Sequence, residues 1–315
     1  FVRACTRGAG GWLLGLIAFN ALLGVFEAVL FQLMGLLVDW MNQYSVEELW
    51  VAKKTPLLWM LALVLSSPLW VLVASNLRFQ VLQGVLPMRL RWQFHQLLLS
   101  QSLQFYQDEF AGRISAKVMQ TALAVRDTVM TCADMLVYVA VYFVSTGVIL
   151  ASFDSWLLLP FIGWLLLFVL CLRVFIPRLA KLAQTQADAR ALMTGRITDA
   201  YTNIATVKLF SHGGRESRYA KQAMREFLGT VHGQMRWVTI LEFVNHSLNM
   251  LLVAGTTALS LYLWQYGQIG VGAAAAAIAM ALRLVGLSHW IMWGATLVFE
   301  HMGTVRDGLD TLRQP

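Results

Sequence analysis

The chain has 315 residues, of which 58% are hydrophobic and only 13% charged, with a mean hydropathy of +0.62. A soluble domain of this size carries about 25% charged residues, so the deficit points to lipid as the solvent and excludes an ordinary water-soluble enzyme. The formal charge of +7 does not indicate nucleic-acid binding, because the lysines and arginines lie between apolar runs rather than on one basic, aromatic-studded face.

Six apolar runs follow in order, each long enough for the ~20 residues of a bilayer-spanning helix. They cover approximately Trp12–Val38, Leu57–Leu77, Met130–Ser152, Trp156–Ile176, Val238–Trp264 and Val271–Phe299. The first is too long, and too polar at Asn20 and Glu27, for a cleavable signal peptide. These spans predict an all-α membrane protein, with residues 1–315 as a single transmembrane domain.

Charge orients the spans. Arg3 and Arg7 precede the first, and Arg78, Arg89, Arg91, Arg113, Lys117 and Arg126 lie between the second and third. Eleven basic residues, counted from Arg173 to Arg236, lie between the fourth and fifth, and Arg306 and Arg313 follow the sixth. The opposite side has only Lys53 and Lys54. By the positive-inside rule both termini are cytoplasmic.

Loop lengths are just as uneven. Phe153–Ser155 and Gln265–Gly270 are tight outer connections, whereas the two inner links run to about fifty residues or more, far beyond a helix-to-helix turn. From Gly84 to Gln101 and from Leu179 to Thr206 these links keep Leu and Ala at helical spacing. Spans two to five are therefore expected to continue as long cytoplasmic extensions that meet in two turned tips.

The tips hold the most distinctive strings. The first reads Phe105-Tyr106-Gln107-Asp108-Glu109-Phe110-Ala111-Gly112-Arg113-Ile114-Ser115-Ala116-Lys117-Val118. The second reads Ile204-Ala205-Thr206-Val207-Lys208-Leu209-Phe210, then Ser211-His212-Gly213-Gly214-Arg215-Glu216-Ser217-Arg218-Tyr219. With the Gly267-Gln268-Ile269-Gly270-Val271-Gly272 turn before the sixth span, the chain resembles the transmembrane domain of type IV (subfamily B-like) ABC exporters over essentially its whole length. That resemblance implies that Phe105, Tyr106, Gln107, Asp108, Glu109 and Phe110, together with Ser211, His212, Gly213, Gly214, Arg215 and Glu216, form two coupling helices that dock on nucleotide-binding domains. The alternative is that Phe105, Tyr106 and Phe110 only staple their hairpin. Gly213-Gly214 departs from the acidic residue common in relatives.

The resemblance further implies a half-transporter in the plasma (bacterial inner) membrane, paired with a second copy or a homologous half and exchanging the fourth and fifth spans across the dimer. ATP and Mg would be bound by a nucleotide-binding domain outside this chain, since no Gly-x-x-x-x-Gly-Lys-Ser/Thr string occurs here. No catalytic residue and no cofactor are expected in the chain itself. The six histidines are too scattered in sequence for a metal site, and three cysteines, Cys5, Cys132 and Cys171, read as apolar fillers.

Polar residues inside the spans nominate a substrate cavity. A central arginine costs about 2.5–3.5 kcal/mol on insertion scales, so Arg283 requires a partner or a wet cavity. Arg283 and Glu27 lie at matching depth, about 18 Å from the outer ends of their spans at 1.5 Å per residue; they either pair or both line the pathway. Glu242, Asn245, His246 and Asn249 recur at i, i+3, i+4 and i+7, a pattern that fits a cavity wall or polar glue between helices. Trp290 and Trp293 offer an apolar wall or an interfacial anchor. The function expected is ATP-driven export of a hydrophobic or amphipathic, drug-like or lipid-like substrate by alternating access. The alternatives are a secondary transporter or channel, and a scaffold whose cytoplasmic tips bind a partner.

Overall fold

The computed structural model describes residues 9–102, 106, 111–210 and 213–312. These residues are almost wholly helical, and no strand occurs among them. The helices are α1 (Gly10–Gln43), α2 (Val46–Asn76), α3 (Leu86–Leu99), α4 (Ala111–Thr131), α5 (Val137–Phe153), α6 (Leu158–Thr202), α7 (Ile204–Leu209), α8 (Gly213–Gln265) and α9 (Val271–Leu312). Two π-helical segments, Leu77–Val85 and Cys132–Leu136, join α2 to α3 and α4 to α5 without a break in the helical path.

Six helical stretches are long and apolar enough to cross a membrane: Gly10–Gln43, Val46–Leu99, Ile114–Phe153, Ser155–Thr202, Gly213–Gln265 and Val271–Arg306. Each contains one of the six apolar runs. The 53 residues of α8 extend about 80 Å at 1.5 Å per residue, well past a hydrocarbon core of about 30 Å. The excess is an extension beyond the membrane, of the kind expected from the long links between spans.

Local chemistry sets the ends and bends. Ser45 caps α2 in a reciprocal box: its hydroxyl accepts from the Glu48 N–H, and the Glu48 carboxylate accepts from the Ser45 N–H at 3.1 Å. Lys53 leaves helical geometry (φ −121°, ψ 15°) three residues before Pro56, whose ring crowds the preceding turn. Pro68 cannot donate to the Val64 carbonyl, and Ser67 Oγ donates to it instead at 2.8 Å. A backbone acceptor at membrane depth is thereby satisfied from within its own helix. Between α8 and α9, Gly267 takes φ +69° while its N–H and that of Gln268 donate to Trp264 and Leu263 carbonyls, each at 2.9 Å. Only glycine adopts that left-handed position at no steric cost.

The chain divides into two compact units. The first, residues 1–162 and 252–315, is built on α1 packed against α5 and α9, and on α9 packed against α4. Leu86, Leu90, Phe94 and Leu98 recur every fourth residue on α3 and are all buried, facing Ile114, Val118, Ala122 and Val125 of α4 in one hydrophobic core. Burying each leucine contributes about 1.5–3 kcal/mol, enough to hold this inner hairpin as ordered helix. The second unit, residues 163–251, is the antiparallel pair α6 and α8. Their contacts climb in register: Trp164 with Asn249, Phe175 and Arg178 with Trp237, Arg190 with Phe227, and Arg196 with Glu226.

Small residues let the C-terminal part of α1 cross closely over the start of α9. A Cβ on Gly35 would lie 2.8 Å from the Gly272 carbonyl oxygen and 2.9 Å from Ala276 Cβ. At the same crossing Asp39 Oδ1 accepts from the Gly272 N–H at 2.7 Å, so a carboxylate meets the positive end of α9. Side-chain packing of this small-residue kind, rather than hydrophobic exclusion, associates helices in lipid.

Candidate functional site: a charged cavity among apolar helices

The close crossing fixes the register of α1 against α9, and the charged residues follow from it. Twelve residues inward from Asp39 on α1 lies Glu27, and eleven inward from Gly272 on α9 lies Arg283. Arg283 Nε pairs with Glu27 Oε1. The Tyr138 hydroxyl of α5 donates to Glu27 Oε2 and accepts from Arg283 Nη2 at 3.4 Å. One turn inward on α5's side, in the π segment Cys132–Leu136, Asp134 pairs with Arg78 of the π segment Leu77–Val85. Asn20 of α1 donates to Asp134 Oδ1 at 2.9 Å and to the Ala133 carbonyl at 3.3 Å.

Beside these pairs lies a cavity of about 270 Å³, walled by Asn20, Arg78, Asp134, Tyr138, Arg283, Gly286, Leu287 and Trp290. Arg283, Leu287 and Trp290 recur at i, i+4 and i+7, so one face of α9 supplies a cation, a methyl-rich surface and an indole. The Trp290 ring stands edge-on to Tyr138, with centroids 5.7 Å apart. Both π segments contribute a charged residue to this wall. A π-bulge shifts the side chains that follow it around the helix, which is why such segments recur where a helix must aim a functional group.

The expected residues separate into three groups. Arg283 and Trp290 line the cavity, and Glu27 stands next to it through its pair with Arg283 without joining the wall. Trp293 does not: it lies three residues on from Trp290, is 64% exposed and is not part of the wall. Glu242, Asn245, His246 and Asn249 belong to the second unit, and burial splits them. Asn245 and Asn249 are fully buried, whereas Glu242 and His246 are exposed. Asn249 Oδ1 accepts from Trp164 Nε1 at 3.1 Å, the contact of a residue that joins two helices. The two pairs form neighbouring i, i+4 rows about 60° apart around the helix axis, so a four-residue stripe straddles the edge of the packed face.

Of the expected coupling residues, Phe105, Gln107, Asp108, Glu109, Phe110, Ser211 and His212 lie outside the described residues. Tyr106 is described, and its hydroxyl donates to the Leu98 carbonyl at the end of α3 at 2.9 Å. Gly213, Gly214, Arg215 and Glu216 form the first turn of α8; the first three are exposed and Glu216 is half-buried. Sequence reasoning did not single out Arg78, Asp134 or Tyr138 for the cavity. Arg78 was counted among the topological charges, while Asp134 carried a usable signal as a carboxylate within the third apolar run.

The sequence profile of the ABC transporter transmembrane region matches residues 13–287. This chain is a member of the ABC transporter transmembrane family. It is also 58% identical over 315 residues to an uncharacterized ABC transporter ATP-binding protein of Haemophilus influenzae, a match covering 100% of this chain and 51% of that relative. The chain thus spans about half the length of the curated relative it matches. As an ABC transporter transmembrane region it is an integral membrane protein, and its six spanning helices with long extensions correspond to the type IV exporter fold.

Proposed function

We propose that this chain is the membrane-spanning half of an ATP-driven exporter that moves a hydrophobic or amphipathic substrate by alternating access. The observation that carries the reading is the cavity itself: two ion pairs and an indole set among helices whose remaining surface is apolar. Ionisable side chains at membrane depth are costly and mark substrate pathways. A purely structural bundle of this family has no need to hold three charged side chains around an open space.

In this reading ATP and Mg are bound by a nucleotide-binding domain beyond this chain, either fused or separate. A second copy or a homologous half completes the pathway, with α6 and α8 reaching across to it. The tips around residues 105–111 and 211–219 transmit closure of the nucleotide-binding domains, and both termini face the cytoplasm. The Glu27–Arg283 and Arg78–Asp134 pairs tie α1, α5, α9 and the end of α2 together in one arrangement. Rearranging them biases one of two states, which is the differential interaction that alternation requires.

Reconstitution of the full-length protein that carries this region into proteoliposomes tests the proposal. Uptake of a fluorescent amphiphile should require ATP and stop on vanadate addition. Uptake driven by an ion gradient without ATP would replace the proposal with secondary transport. Absence of uptake, with a regulator bound at the tips, would replace it with a scaffold.

A further inference from the structure

The hydrogen-bonding capacity of the cavity is unequally spent. Both oxygens of each carboxylate are engaged by the protein: Asp134 by Asn20 and Arg78, Glu27 by Arg283 and the Tyr138 hydroxyl. A guanidinium carries five N–H donors. Asp134 engages Arg78 through one nitrogen, and Glu27 and Tyr138 engage Arg283 through two. Exposure follows the same division. The Arg78 and Arg283 side chains are 42% and 39% exposed, against 10% and 25% for Asp134 and Glu27. The arginines are therefore the more open member of each pair: Glu27 lies outside the wall, Asp134 reaches it with both oxygens already engaged, and the unspent groups that face the open space are cationic donors.

We infer that this cavity binds the anionic headgroup of an amphiphile, an oxyanion such as a phosphate held between Arg78 and Arg283, with its apolar portion against Leu287 and Trp290. The inference rests on the proposed transport reading and names its substrate class. Guanidinium is the side chain suited to oxyanions, since its planar fork donates two parallel hydrogen bonds. The volume of about 270 Å³ lies at the lower edge of ligand pockets and suits a headgroup rather than a whole lipid, whose tails extend along the apolar helix faces. Glu27 and Asp134 keep the arginines oriented and neutralised while the site is empty. An arriving oxyanion takes donors that the acids leave unused.

The test is binding, measured without nucleotide so that it stands apart from transport. The full-length protein in zwitterionic nanodiscs is titrated with phosphatidic acid, with a phosphatidylcholine and a diacylglycerol of the same tails, and with inorganic phosphate. Phosphatidic acid should bind at least tenfold more tightly than either tailed control. Arg78→Gln/Arg283→Gln should abolish that preference, and Arg78→Lys/Arg283→Lys should retain part of it and report on folding. Glu27→Gln and Asp134→Asn should bind phosphatidic acid as tightly as the parent or more so, which a merely structural role for the arginines would not produce. Equal binding of the three tailed ligands, or loss of binding on neutralising either acid, would overturn the inference. Inorganic phosphate competing as well as phosphatidic acid would overturn the amphiphile and leave a free anion as ligand. Failure of the transport reading looks different: phosphatidic acid would still bind selectively, but no ATP-dependent movement would follow.

Discussion

Breaking the Arg78–Asp134 pair from its two sides should cost unequal amounts. Replacing Arg78 by alanine strands Asp134, which is only 10% exposed, with Asn20 as its remaining side-chain donor. Removing one partner of a buried pair costs about 3–5 kcal/mol, and the surviving bond from Asn20 places this case near the lower figure, about 3 kcal/mol. Asp134→Asn strands Arg78 instead, but that side chain is 42% exposed and reaches into the cavity, where water solvates it. The loss then falls towards the surface-pair range of about 1 kcal/mol, and the asparagine oxygen still accepts from Asn20. The double variant leaves no buried charge and should resemble Asp134→Asn alone, giving a coupling of about 3 kcal/mol. Equilibrium unfolding of the four proteins in mixed micelles, titrated with a denaturing detergent, measures the cycle. Equal single losses, or a double variant that equals their sum, would refute the burial asymmetry and with it the orientation of the pair towards the cavity.

Other positions give independent checks by the same unfolding assay. Gly272→Ala places a methyl group against the Gly35 carbonyl oxygen and should cost about 1–3 kcal/mol, whereas Gly303→Ala on the same helix, with nothing within 4 Å, should stabilise by about 0.5–1 kcal/mol. Leu90→Ala in the inner hairpin core, where Leu90 is fully buried, should lose about 2–5 kcal/mol. Trp164→Phe removes the bond to Asn249 and should lose about 0.6–1.7 kcal/mol, the range of side-chain hydrogen bonds between membrane helices.

The spans were legible because a helix that crosses lipid must be apolar throughout, and every interruption of that rule is visible. Glu27 and Arg283 were readable for this reason, and counting residues inward from the outer ends placed them at one depth. Arg78 was not, because an arginine at the end of an apolar run has the same appearance whether it marks topology or turns into a cavity. The π segments that aim Arg78 and Asp134 leave no periodic trace over five to nine residues. The Gly35–Gly272 crossing pairs residues 237 positions apart, and neither glycine differs in sequence from others that face open space. The stripe of Glu242, Asn245, His246 and Asn249 shows the opposite limit: spacing found the face but not its edge, which depends on where Trp164 of the neighbouring helix lies.

The cavity's place on a transport pathway is the central claim, and side-specific labelling tests it most directly. Gly286 lines the cavity and is exposed. In a full-length protein with its native cysteines replaced, Gly286→Cys should react with a membrane-impermeant maleimide applied from the cytoplasmic side when nucleotide is absent. After trapping with ATP and vanadate, that reaction should slow at least tenfold and labelling from the opposite side should appear. Equal rates from the cytoplasmic side in both states, or no reaction in either, would contradict alternating access through this cavity.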